Sequence, residues 1–167
     1  MQIFFHVIYI LCAELVFPEV YFDQILPGDN LVVALKSRSH LTLGVEDSIV
    51  VLENGLNDTE RNPSLKDPVL SVSLRRLDPL FFEIYIDGRI ICSFGLFKDV
   101  AECSVDQGGD SRFLLRGTAN GFTIEGYGGC LTEYPPKEND EGFKHGVRID
   151  FCDDKDNQIW YIKKSLI

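Results

Sequence analysis

The run VRIDFCDDKDNQIWYIK (residues 147–163) carries the only tryptophan of the chain, Trp160, in a short apolar segment near its end. It aligns without gaps on VAECSVDQGGDSRFLLR (residues 100–116). Val100 meets Val147, Asp110 meets Asn157, Phe113 meets Trp160 and Leu115 meets Ile162. Upstream, EIYIDGRIICS (83–93) resembles FTIEGYGGCLT (122–132), the two being matched by cysteine, Cys92 on Cys130. A fainter copy lies in the first third, with VALKSRSHLTL (33–43) as its earlier part and DPVLSVSLRR (67–76) as its later part. Leu70 then stands where the other copies have an aromatic residue. Each unit reads as strand, polar or glycine-containing turn, strand, long variable loop, strand, turn, strand. One such unit cannot bury its own apolar face, but three can close into a barrel without exposed sheet edges. The pattern predicts an all-β chain folded as a β-trefoil, with three pseudo-symmetric four-strand repeats at about 24–77, 78–118 and 119–167 and little helix.

Composition agrees with one β-rich domain. The chain has 167 residues, 45% of them apolar and 25% charged, which suits a single globular core. Twelve phenylalanines and short runs of Val, Ile and Leu favour strands, and no window sustains an apolar period of 3.6 residues. The net charge of −10 repels phosphate backbones, and Arg75–Arg76 and Lys163–Lys164 are isolated pairs rather than a basic stripe. Nucleic acid, heparin-like chains and anionic membranes are therefore poor candidates as partners.

The first thirteen residues, MQIFFHVIYILCA, hold an apolar core from Ile3 to Ala13 and no acidic group. Eleven residues are too few to span a bilayer as a helix, and they suit the core of a signal peptide. The alternative is a buried N-terminal strand. With 1–13 removed, residues 14–167 form one expected domain and four of the five cysteines remain. An even number fits an oxidising, extracellular compartment. Asn57, in Asn-Asp-Thr, is a glycosylation acceptor on the same reading, whereas Asn62 is excluded by the proline after it. Of the three pairings open to four cysteines, internal symmetry selects Cys92–Cys103 and Cys130–Cys152. No Cys-x-x-Cys spacing supports a zinc site, and no cofactor or metal is expected.

The last repeat resembles the ricin B-type lectin repeat. It shows Gly129, then Cys130–Leu131, a variable loop, an alternating strand from Val147 to Cys152, and Gln158–Ile159–Trp160. The middle repeat keeps the cysteines but has Ser111 and Phe113 in place of Gln and Trp. The resemblance implies that Trp160 packs inside its repeat and that Gln158 bonds nearby backbone. It also implies shallow sugar sites. In the family an Asp two residues after the first Cys accepts from sugar hydroxyls, an aromatic ring stacks on the pyranose face, and an Asn before Gln-x-Trp completes the grip. Here Asn157 is kept. The Asp position holds Thr132, with Glu133 one place on and directed to the other face of the strand. The aromatic position holds Asp150, and Tyr134 or Phe143 is the available substitute. In the second repeat the matching positions are Phe94 and Asp110, and the first repeat offers no site.

Other chemistries find little support. The acidic run DDKDN (153–157) lacks the Gly and Glu of a calcium-binding loop and reads as a solvated turn. No Gly-x-Ser-x-Gly motif occurs. His40 aligns with a turn and His145 falls in the variable loop, neither beside an evident Ser, Cys or carboxylate partner, so enzyme activity is not expected. The expected function is binding of a glycan or glycoprotein surface. The competing expectation is a protein-binding trefoil, inhibitor-like or cytokine-like, acting through YPPKENDEGFKHG (134–146), whose paired prolines stiffen one end.

Overall fold

Two-residue turns with positive φ set the frame. Asp87–Gly88 (φ 50° and 77°) and Tyr127–Gly128 (φ 51° and 78°) repeat one backbone shape, and Asp47–Ser48 (φ 50° and 67°) is a third turn of the kind that matches strand twist. The computed structural model describes residues 28–54, 72–104, 106–134 and 145–164. Asn57, Leu70, Phe143 and the proposed leader lie outside the described residues.

Among the described residues, twelve strands fall into three sets of four. The first set is β1 (Gly28–Leu35), β2 (Arg38–Glu46), β3 (Ile49–Asn54) and β4 (Val72–Arg76). The second is β5 (Phe81–Ile86), β6 (Arg89–Cys92), β7 (Ala101–Glu102) and β8 (Phe113–Thr118). The third is β9 (Gly121–Gly126), β10 (Gly129–Tyr134), β11 (His145–Asp150) and β12 (Trp160–Lys164).

The first and fourth strands of each set pair in a closed ring, β1–β12–β9–β8–β5–β4 and back to β1. The second and third strands form three hairpins, and these are joined by β11–β3 and β3–β7 contacts. A six-stranded barrel capped by three hairpins is the β-trefoil.

The registers define the axis. Leu35, Ile86 and Gly126 each end a strand just before its two-residue turn. Trp160 faces Leu35 and Val72 faces Ile86, and extending the Leu114–Glu125 pair by one residue sets Phe113 opposite Gly126. Trp160, Phe113 and Val72 therefore occupy equivalent places, all of them buried. Val72, not Leu70, is the counterpart in the first repeat. A Cβ on Gly126 would lie 2.9 Å from two atoms of the Phe113 ring, so the missing side chain makes room for the ring. The apolar alternation of β5, with Phe82, Ile84 and Ile86 inward, fills the same barrel.

The disulfides are Cys92–Cys103 and Cys130–Cys152, with Cα separations of 4.9 and 5.0 Å. Each ties the second strand of a repeat to the segment that follows its partner. Cys92 pairs with Ala101 but bonds two residues further on, and Cys130 pairs with Asp150 and also bonds two residues further on. The cysteines are not equivalent, however. Superposing the turns Asp87–Gly88 and Tyr127–Gly128 sets Cys92 on Thr132, two residues past Cys130. Matching cysteine to cysteine was a misalignment, because backbone turn geometry sets the register and cross-links can slide along a ladder.

Candidate functional site

The third repeat positions every candidate, and Gln158 is its organiser. A single 3-10 turn, Asp156–Gln158, brings the chain back towards β10. The Gln158 amide donates to Thr132 Oγ1 (3.0 Å) and to the Phe151 carbonyl (2.7 Å), and its oxygen accepts from Asp153 N (2.9 Å). Three bonds from one buried side chain pin the 151–158 loop over β10. Trp160, fully buried, donates from Nε1 to the Leu131 carbonyl at 3.0 Å. In the middle repeat Ser111 is too short for this work and its hydroxyl donates instead to Glu83 (3.3 Å).

That closure consumes the sugar-contact positions read from the sequence. Thr132 is 4% exposed, donates to the Cys130 carbonyl (2.8 Å) and accepts from Gln158. Asn157 donates from Nδ2 to the Glu133 carbonyl at 3.2 Å. Asp150 accepts from Arg148 Nη2 (2.7 Å) and from Phe151 N (2.8 Å). The second repeat is equally occupied. Asp110 holds Arg112 through both carboxylate oxygens at 2.9 Å, and that guanidinium keeps the Asp110 carboxyl below its ordinary range. Phe94 is half-buried.

Glu133 points to the opposite face from Thr132, as strand alternation requires, but it is only 7% exposed. Its Oε1 lies 2.7 Å from Nδ1 of His145 and 3.3 Å from Nη1 of Arg38. This corrects the sequence reading of His145, which opens β11 and has a carboxylate partner. Arg38 comes from the first repeat and also lies 2.8 Å from Nε2 of His145. The trio joins two repeats through the Arg38–Glu133 ion pair, with the imidazole of His145 against both partners.

At the end of β10 Tyr134 donates to Asp99 Oδ1 at 2.8 Å, and the Arg148 guanidinium stands 5.2 Å from its ring centre. Burial, then the Asp99 carboxylate, pushes the Tyr134 hydroxyl up to about 12. Tyr134 and Asp150 thus meet through Arg148 at one edge of β10–β11, while Thr132 and Asn157 are drawn inward. The grouping of Glu125 with Cys130 and Cys152 could hold a metal by distance, but both sulfurs are in the disulfide and give no thiolate.

Sequence reasoning missed a cluster beside this edge. Phe97 and Phe151 meet edge to face with centroids 5.3 Å apart, and both are more than half exposed, as is Tyr127. A signal was present: Tyr127 stands where the second repeat has Asp87, in a turn that favours Asn, Asp or Gly.

No protein family's sequence model matches the chain, and no curated protein matches it. Solved structures do. The designed threefold-symmetric protein ThreeFoil is similar with a TM-score of 0.59 at 14% identity, over 81% of this chain and 98% of that one. A mosquitocidal holotoxin is similar with a TM-score of 0.62 at 13% identity, over 84% of this chain. This chain spans only 17% of the holotoxin chain. A chain of the Haemophilus ducreyi cytolethal distending toxin is similar with a TM-score of 0.58 at 16% identity, over 83% of this chain and 85% of that one. At these identities the likeness establishes the fold.

Proposed function

We propose that the chain is a secreted, ricin B-type lectin-like protein that binds carbohydrate and has no enzyme activity. The observation that carries this reading is the third repeat. There Gln158 and Trp160 perform together the two structural duties that the Gln-x-Trp resemblance implies, inside a β-trefoil. The two disulfides support an extracellular setting, and among the described residues no helix is long and apolar enough to cross a membrane. The similar toxin chains are proteins named for action on cells or insects, company that suits recognition of a cell surface.

The family's own pocket is poorly served, since Thr132 and Asn157 are spent on the loop, so the sugar is held elsewhere on the repeat or weakly. The competing protein-binding reading, through residues 134–146, has most of that loop outside the described residues. The test is an immobilised glycan array with the purified chain. The expected result is saturable binding to a subset of glycans, competed by free sugar. Binding to no glycan, together with capture of a protein lost when 135–144 is replaced by a short linker, contradicts the lectin reading and favours the other.

A further inference from the structure

Among the described residues, three of the six exposed large apolar side chains gather at the junction of the second and third repeats. Phe97, from the β6–β7 loop, is 56% exposed, and Phe151, just after β11, is 61% exposed. Their rings stand at 82° to each other, which forms a corner with open faces. Tyr127, 56% exposed, lies beside the same loop: a Cβ on Gly95 would sit 3.7 Å from its ring.

The backbone holds these rings at a cost. Phe97 has φ 61° and Tyr127 φ 51°, the left-handed region that bulky residues seldom adopt. The fold does not require Tyr127 in that turn, because Asp87 serves the equivalent turn in the second repeat. Strain of this kind collects where the surroundings impose it for function.

The corner is also fixed in place. Phe97 N donates to the Ile149 carbonyl (2.7 Å) and Ile149 N donates to the Lys98 carbonyl (3.1 Å). Leu96 packs against the core beside Gly129, which leaves Phe97 outside. Phe151 is held at both ends, its N–H on Asp150 and its carbonyl on Gln158. A rigid surface loses little freedom when a ligand settles on it.

We propose that Phe97, Phe151 and Tyr127 form a stacking platform for an uncharged saccharide, separate from the pocket that the lectin resemblance implies. The inference rests on the carbohydrate-binding reading above and names its site. A pyranose offers an apolar C–H face to a ring and hydroxyls at its rim. Asp150, which accepts from Phe151 N, puts a carboxylate acceptor beside the platform, and Arg148, bonded to Asp150, adds a donor. Three rings within a charged rim are small beside the roughly 800 Å² a side that a stable protein interface needs. The net charge of −10 disfavours sialylated, sulfated or uronate-rich chains.

The probe is a panel of neutral oligosaccharides ending in galactose, glucose or N-acetylglucosamine, with sialylated and sulfated counterparts. Tyr127→Asn is the informative variant, because Asn accepts the turn's φ and the fold keeps or gains stability. The expected result is neutral-glycan binding weakened about tenfold by Tyr127→Asn, with no fall in melting temperature, and abolished in Phe97→Ser/Phe151→Ser. Neutral-glycan binding that ignores these variants but is lost in Asn157→Ala places the sugar in the family pocket; it overturns the platform and leaves the lectin reading standing. Preference for the charged counterparts overturns the proposal through its electrostatics. If the wild type binds no saccharide, both readings fail, and self-association or protein capture lost in Tyr127→Asn then assigns the platform to a protein contact.

Discussion

Trp160→Ala is expected to cost about 3–5 kcal/mol of folding stability and to lower the melting temperature by on the order of 10 °C or more. The indole is fully buried in the ring of barrel strands, and its Nε1–H satisfies the Leu131 carbonyl. Truncation removes most of the side chain, leaves a cavity beside β1 of the first repeat and β9 of the third, and takes away the donor to the Leu131 carbonyl. A domain of this size is stable by only about 5–15 kcal/mol, so the loss is a large share of the total. Trp160→Phe should cost far less, about 1–2 kcal/mol, because the equivalent place in the second repeat already accepts Phe113. Urea unfolding of the three proteins checks the order. Equal stability of Trp160→Ala and the wild type would mean that the indole fills nothing.

Removing a cross-link is the second large effect. Cys130→Ala/Cys152→Ala should lose about 3 kcal/mol, and Cys92→Ala/Cys103→Ala slightly less, because the loops they close differ. The sequence separations are 22 and 11 residues. Alanine avoids burying a new hydroxyl at position 130, which is fully enclosed. Denaturation midpoints and slopes for both double variants give the comparison. An unchanged midpoint in either would show that the cross-link constrains little in the unfolded chain.

Much of this architecture could be read from the residues themselves. The gapless match of Asp110 with Asn157 and of Phe113 with Trp160 holds in space, because strand alternation around a barrel fixes which residues face inward. The first repeat was harder. Val72 is small, and the segment before it carries no aromatic to mark the place, so Leu70 drew the alignment two residues off. Cysteines misled for another reason: they are conspicuous letters, but the φ > 0 turns at Asp87 and Tyr127 decide the register.

The site was less legible than the fold. Alternation placed Thr132 and Glu133 on opposite faces, yet neither meets solvent. Gln158 closes over one, while Arg38, more than ninety residues away in sequence, helps to close over the other. Contacts of that kind depend on how repeats dock, and no local pattern carries them. Phe97 and Phe151 likewise come from separate repeats and become one surface only when the 97–99 segment joins the edge of β11.

The trefoil core is built round one interior indole, and the chain's single tryptophan makes that position directly measurable. Fluorescence of the native protein, with iodide and acrylamide as quenchers, reports Trp160 alone. The structure requires blue-shifted emission almost untouched by iodide, moving to the red only on unfolding. Red-shifted, readily quenched emission from the folded chain would place the indole in water and contradict the trefoil core on which the lectin reading is built.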